Sequence, residues 1–369
     1  MARATIRDVA EHSGVSITTV SHVLNDVPGK RISQKTRERV LQVIDELRYT
    51  PNQLARSLRT QRTRMIGFLS DRVSTTPFAG RMILGAQDAA AEAGSLLVLL
   101  NSGGDPELEE REVRALLERQ VDGIVYAAFY HRVVTPPRSL RSGPAVLLDA
   151  RSADGSISSV VPDEVGGGRA AVEELLATGH RQIGFVNNHD DIPARSLRLA
   201  GFRQALEVYG VPFYGSLVVE READAAGGFS GAIELLSRSP RPTGLFCFND
   251  RTAMGAYQAA STLGLSIPGD VSIVGFDDQE LISDSLLPGL TTVALPHHEM
   301  GQWAVRELLR QIDAQPPYPV AHALIRCPII RRGSVAAPPA VIKPAMPQHA
   351  VPNRPGGEPS TSNHEHLAS

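Results

Sequence analysis

Cysteine, lysine and long apolar runs are all scarce in this 369-residue chain, and each scarcity excludes something. The only cysteines, Cys247 and Cys327, sit far apart in apolar surroundings, which fits buried thiols in a reducing cytoplasm. No stretch stays apolar long enough to span a bilayer, so a membrane helix is excluded. The opening "MARATIRDVAEHSG" is charged from the start and has no apolar segment of a secretion signal. No histidine–cysteine cluster has the spacing of a metal site. His349, His364 and His366 are too loosely placed to form one, and neither a metal nor a cofactor is expected. Lysine is confined to Lys30, Lys35 and Lys343, so arginine carries nearly all the positive charge.

What is present is length, a core and an uneven spread of charge. The chain has room for two or three domains, and a hydrophobic fraction of 42% supports a real core. Its net charge of −3 conceals a basic head: residues 1–62 hold eleven basic against six acidic side chains, leaving +5 there and −8 elsewhere. A compact basic head on an acidic body is the footprint of a polyanion binder, although a merely solvated basic surface has the same composition.

The head reads as three helices. Thr5 can cap the first, with Asp8 three residues on completing a capping-box arrangement, and Ile6, Val9 and Ala10 share one face. Gly14 in "SGV" ends that helix in a left-handed turn. Ser16 caps a second helix that points Val20, Val23 and Leu24 inward. The spacing Ala10, Gly14, Val20 is that of a helix-turn-helix, in which a small residue, a tight turn and a branched apolar lock recur. Ser33 starts a third helix, with Val40, Val43, Ile44 and Leu47 on a buried stripe. Ile17, Thr18, Ser21 and His22 must then face outward. Small hydroxyls, an isoleucine and an imidazole suit a major groove better than they suit water. A three-helix protein-interaction module is the alternative.

Beyond the head, "NQLARSL" after Pro51 makes two helical turns at most and would need a partner to order it. Leu54 and Leu58 amid Arg56, Arg59, Arg62 and Arg64 suggest an apolar wedge in a minor groove, with cations on phosphates. A plain basic linker is the competing description. From Met65 onward strands alternate with helices: "MIGFLSD", "LLVLLNS", "GIVYAAF", "AVLLDA", "QIGFVNN", "TGLFCFND", "SIVGFDD" and "TTVALP". In "DPELEEREVRALLERQ" Asp105 caps and Pro106 takes the first turn. Such alternation implies doubly wound parallel sheets, and the run is long enough for two similar α/β lobes. Ligands sit beyond the C-terminal ends of such strands, so Asp71, Asp149, Asn187, Asn249, Asp250, Asp277 and Asp278 are candidates. The Pro-, Ala- and Gly-rich segment 335–369 reads as a disordered tail.

Taken together, "ATIRDVAEHSGVSITTVSHVLND", "ARSLR", "VDGIV", "GHRQIGFV", "RLAGFRQAL", "CFNDRTAMGA", "IPGDVSIVGFDD" and "LTTV" closely resemble the lactose-repressor (LacI/GalR) family of bacterial transcription regulators. The resemblance runs from Thr5 to Ser334 in family order. It implies a cytoplasmic homodimer that reads a palindromic operator in double-stranded DNA and is switched by a small-molecule effector, a sugar or sugar derivative. It further implies a head over 1–50, a hinge over 51–64, and a two-lobed effector and dimerisation body over 65–334 with periplasmic-binding-protein topology. Chain crossings between the lobes are expected near Pro162, Leu290 and Ala323. Ile17, Thr18 and His22 match base-reading positions, and Ser16, Thr19, Ser21 and Asn25 match backbone contacts, with Thr5 nearby. Leu58 matches the intercalating leucine, flanked by Ala55 and Arg59. In the cleft, Arg198 and Asp277 match the pair that grips ligand hydroxyls, with Asn249 and Phe78 as further lining positions. Ala223 stands where many relatives place a flat aromatic, which argues against a standard pyranose stack.

Two rivals compete with this reading. A solute-binding receptor without DNA function would share the body, but the basic head argues against it. An enzyme is disfavoured: "GGFSGA" (227–232) only approaches a nucleophile elbow, and "GGGR" (166–169) lacks the lysine–serine ending of a phosphate loop.

Overall fold

The computed structural model describes residues 4–24, 32–49, 62–71, 80–314 and 316–341. The chain divides into two compact units, Met1–Met65 with Leu117–Asp122, and Ile66–Leu116 with Gly123–Ser369.

In the first unit, helices α1 (Ile6–Ser13), α2 (Ile17–Leu24) and α3 (Gln34–Glu46) form where their caps dictate. Thr5 and Asp8 exchange both bonds of a capping box, and Gly14 closes α1 at φ 61°. Ser16 Oγ accepts from the Thr19 amide at 3.1 Å, and Ser33 caps α3 by accepting from the Thr36 amide. Val9, Ala10, Val20, Val23, Val40 and Val43 are buried together, with Ile6, Leu24, Ile44 and Leu47 packed around them. Each such valine contributes about 1.5–3 kcal/mol on burial, a modest core suited to a small helical unit.

The second unit is built on two six-stranded sheets. The first runs in the order β11-β5-β4-β3-β1-β2, formed by β1 (Met65–Ser70), β2 (Leu96–Asn101), β3 (Gly123–Val134), β4 (Ala145–Ser152), β5 (Ser158–Pro162) and β11 (His322–Ile325). The second runs β12-β10-β9-β8-β6-β7, from β6 (Ile183–Asn188), β7 (Val218–Arg221), β8 (Gly244–Cys247), β9 (Ser272–Asp277), β10 (Thr291–Ala294) and β12 (Ile329–Ile330). The central pairings are parallel, and the short β12 runs antiparallel to its neighbour β10. The helices are α4 (Gly80–Glu92), α5 (Pro106–Glu118), α6 (Glu164–Ala177), α7 (Pro193–Val208), α8 (Ala225–Leu236), α9 (Asp250–Thr262), α10 (Glu280–Ser283) and α11 (His297–Asp313). Among the described residues no helix is long and apolar enough to cross a membrane.

Three helix pairs, α4 with α11, α6 with α7 and α8 with α9, meet through facing glycines: Gly85 and Gly301, Gly168 and Gly201, Gly228 and Gly255. A β-carbon at any of these six would fall within 3.0 Å of a carbonyl oxygen of the partner helix, so only glycine lets the backbones seat directly on each other. The glycine-rich "GGGR" and "GGFSGA" segments are thereby explained as helix seams. Ser230 lies inside α8, where its hydroxyl bonds the Gly227 carbonyl, and it forms no elbow.

The chain passes from the first sheet to the second after Pro162, returns after Ala294, and crosses again after Ile325. The second and third passages fall later than Leu290 and Ala323, because β10 and β11 run on to complete their ladders first. The boundary expected after Ser334 is also too early. Ser334 is fully buried, and the Ala336 carbonyl accepts from the Ser272 hydroxyl and bonds His180 Nε2, so the packed body reaches at least Ala336. The rest of the segment expected to be a disordered tail, from residue 342, lies outside the described residues, as does all but residues 62–64 of the expected hinge.

Candidate functional site

Two surfaces carry functional chemistry, one in each unit. In the first, burying Val20 and Val23 turns the opposite face of α2 outward. Ile17 is 43% exposed, an unusual setting for an isoleucine on so small a unit. Ser16 and Thr18 are exposed, and Thr19, Ser21 and His22 are half-buried. Thr5 is held by Asp8 in the capping box, so its hydroxyl is already engaged. This face offers hydroxyls that donate or accept, a methyl-bearing surface and an imidazole, the set needed to read base edges. Asn25, Ala55, Leu58 and Arg59 lie outside the described residues.

In the second unit, the strand ends build a partly open cavity of about 160 Å³. At roughly 30 Å³ per water, that is room for about five waters or one small ring. Its centre is Arg198 on α7, only 3% exposed. The seam between Gly168 and Gly201 brings α7 close enough for Arg198 Nε to donate to Glu164 Oε2, at the start of α6, at 2.7 Å. A side chain at Gly167 would strike Phe276, so that glycine also clears space for a ring that lies against the guanidinium. Phe276 and Phe248 lie 3.6 and 4.4 Å from it, centroid to carbon. Arg198 also donates to the Phe248 carbonyl, and its remaining terminal nitrogen stands 3.6 Å from Asp277 Oδ1.

Asp277 ends β9 at φ 105°, outside the usual range for a side-chain-bearing residue, and its Oδ2 accepts from Gln279 Nε2 at 3.0 Å. Burial pushes its pKa up to about 6, opposed by Arg198. The two partners behave differently: Arg198 gains charge stabilisation although Asp277 is penalised. The 2.7 Å contact to Glu164 takes most of the guanidinium's charge, and Asp277 receives what is left.

Asp149 comes from a break in the ladder. On β3, four residues lie between the partners of Leu148 and Ala150, so Phe129, Tyr130 and His131 are thrown out of register opposite Asp149. Such bulges re-aim side chains beside functional sites. Asp149 is 3% exposed at φ 55°, and its Oδ1 has no hydrogen-bond partner. Burial, followed by the negative charge of Glu164, holds its carboxyl well above the usual carboxylate range. His131 Nδ1 is also unpartnered, 4.0 Å from Glu164 Oε1, and burial pushes its pKa down.

Of the remaining sequence candidates, Asn249 lines the cavity, its oxygen accepting from the Thr252 amide and its nitrogen donating to the Ala223 carbonyl. Ala223 also lines it and offers no ring, the aromatic faces coming instead from Phe129, Tyr130 and Phe248. Asp71 binds Arg132 at 2.7 Å, Asp278 binds Arg332 at 2.8 Å, Asp250 accepts from Thr292 and Gln279, and Asn187 donates to the Arg195 carbonyl. These four stabilise strand ends and do not face the cavity. Phe78 lies outside the described residues. Glu164 and His131 are the site residues that sequence reasoning missed. The signal for Glu164 was its place one residue after a strand-ending Pro162–Asp163 pair. A second cavity, about 420 Å³, opens at the starts of β4 and β5, the wrong ends of parallel strands for a ligand site.

Comparison with known proteins bears on both surfaces. Residues 5–52 match the model of bacterial regulatory proteins of the lacI family, and residues 154–335 match a periplasmic binding protein-like domain. The ribose operon repressor of Haemophilus influenzae is 34% identical over 310 residues, covering 84% of this chain and 92% of that protein. The HTH-type transcriptional regulator DegA of Bacillus subtilis is 37% identical over 303 residues, covering 81% and 88%. Among solved structures, a lac repressor dimer bound to operator and the anti-inducer ONPF superposes with a TM-score of 0.69 at 28% identity, covering 91% of this chain and 100% of that one. A CelR–cellobiose complex superposes at 0.63 with 30% identity, covering 90% and 100%.

Proposed function

The chain belongs to the LacI family of bacterial regulatory proteins, and from that membership we propose how its two surfaces divide the work. It is a sequence-specific DNA-binding transcription regulator, a repressor, and not an enzyme. As a cytoplasmic homodimer it presents two copies of α2 to a palindromic operator. Ile17, Thr18 and His22 read base edges, Ser16, Thr19, Ser21 and Asn25 hold the backbone, and Thr5 sets the start of α1 against a phosphate. Residues 51–64 form the hinge, where Leu58, flanked by Ala55 and Arg59, enters the minor groove. The two-lobed body receives a small polar effector, a sugar or sugar derivative, at Arg198, Asp277 and Asn249, with Phe78 as a further contact. Effector occupancy changes operator affinity by favouring one lobe arrangement over another.

The observation that carries this reading is the outward face of α2: an exposed isoleucine and a row of hydroxyls directly above a buried valine core. Anisotropy titration of the full chain against a palindromic duplex and a scrambled control, at two ionic strengths, tests it. Affinity for the palindrome should exceed that for the control and fall about a thousandfold between roughly 50 and 200 mM salt. Equal affinity for both duplexes at either salt would leave the protein a solute receptor only.

A further inference from the structure

The cleft is short of positive charge: burial and neighbouring carboxyl groups favour the neutral forms of Asp149 and Asp277, so a cation that reached them would draw off a proton and pair with the carboxylate. Three buried carboxyl groups, those of Asp149, Glu164 and Asp277, line the cavity. Four of the described basic side chains also line it, and of these Arg198 faces Glu164 at 2.7 Å and Asp277 at 3.6 Å. Arg198 donates to Glu164 and to a carbonyl, and the rings of Phe248 and Phe276 lie against it. Arg251 is exposed at the mouth, as is the acidic Asp190. Burial lowers the pKa of His131, against the pull of Glu164.

The unmet need is for donors. Asp149 is more than nine-tenths buried, and its Oδ1 has nothing donating to it in the cavity wall. Among the described residues the site has no spare cation, so a phosphate or carboxylate would add uncompensated negative charge. A bare metal ion does not fit either: among the described residues no three acidic or nitrogen ligands come close enough to hold one. An ammonium group supplies three donors and a positive charge at one point. The rings of Phe129, Tyr130 and Phe248 and the polar ends of Asn188 and Asp190 suit the hydroxylated ring that would carry it.

We propose that this cleft selects a cationic polyhydroxylated amine, an amino sugar or aminocyclitol in chemical class, with its ammonium group on Asp149 between Glu164 and Asp277. The inference rests on the cleft being the effector site, and the experiment separates the two. The purified full chain is titrated calorimetrically with glucosamine, galactosamine and mannosamine, each beside its parent sugar and its uronic acid. At least one amine should bind about tenfold or more tighter than its parent sugar, the scale of a charge-assisted hydrogen bond, and the uronic acids should bind weakest. Asp149→Asn, which keeps the shape, should erase that preference, and Glu164→Gln should reduce it, with thermal melts confirming that both variants fold.

No binding by any amine at millimolar concentration overturns the inference. So does a parent sugar binding as tightly as its amine in every pair, or a preference that survives Asp149→Asn in folded protein. A neutral sugar that binds and changes operator affinity through Asp277 would sink the cation inference but leave the cleft reading intact. A probe that changes operator affinity without sensitivity to Asp149 or Asp277 would sink both.

Discussion

Removing the charge at Asp277 should stabilise the protein at neutral pH. The native carboxyl titrates near pH 6, about two units above an ordinary aspartate, because burial outweighs the attraction of an arginine already turned toward Glu164. A carboxyl whose native pKa is raised binds its proton more tightly in the folded chain than in the unfolded one. Its contribution is therefore most favourable below about pH 4, declines as the pH rises from about 4 to 6, and stays at its minimum above. Two units correspond to about 3 kcal/mol. The substitution Asp277→Asn would keep the acceptor used by Gln279 Nε2 at 3.0 Å, and asparagine tolerates positive φ better than most residues. The variant should accordingly gain up to about 3 kcal/mol over the native chain at about pH 7.5 and almost nothing at about pH 4. Urea denaturation followed by circular dichroism at the two pH values measures the difference. A variant less stable than the native protein at the higher pH, or an advantage that does not change with pH, would refute the argument. A residue that weakens its own fold at working pH is the signature of a group kept for a ligand.

Three further outcomes follow from the same structure. Replacing Ile17 or His22 with alanine should cost about 1–3 kcal/mol of discrimination at one operator position per half-site, measured by competition between duplexes, and leave the melting of the body unchanged. Gly255→Ala drives a β-carbon into the Ala225 carbonyl and should destabilise the second lobe by about 1–3 kcal/mol or more in denaturation, with no loss of operator contacts. Ser334→Ala removes the buried hydroxyl that accepts from the Thr291 amide at 2.8 Å and donates to the Ile273 carbonyl at 2.6 Å, leaving both unpaired, and should cost about 1–3 kcal/mol in the same assay.

Local signals made much of this legible beforehand. Thr5, Asp8, Gly14, Ser16 and Ser33 act through neighbours three or four residues away, so their caps could be read without tertiary knowledge. The strongly apolar strands were equally plain. What escaped were β5, β7, β11 and β12, which are short, and β7 carries charged Glu220 and Arg221 within "VVER". Their identity as strands comes from pairing partners distant in sequence, as when His322 finds Ser159. The cleft divides along the same line. Arg198 and Asp277 stood out in recognisable stretches and do meet, at 3.6 Å. Glu164 looked like any acid in a helix's first turn until the α6–α7 seam placed it on Arg198. The placing of His131 and Asp149 depends on a register slip that no local periodicity announces.

The glycine seams reach beyond stability. Helices seated carbonyl against α-carbon have no layer of side chains to re-sort, so the sliding that lets many proteins change shape by small repacking is denied to these pairs. Each lobe then moves as a slab, and any pivot falls on the three strips of chain that join the slabs. Pro162, Glu164, Leu295 and His297 belong to two of those strips and also wall the cavity. A guest in the proposed site would touch two of those strips directly.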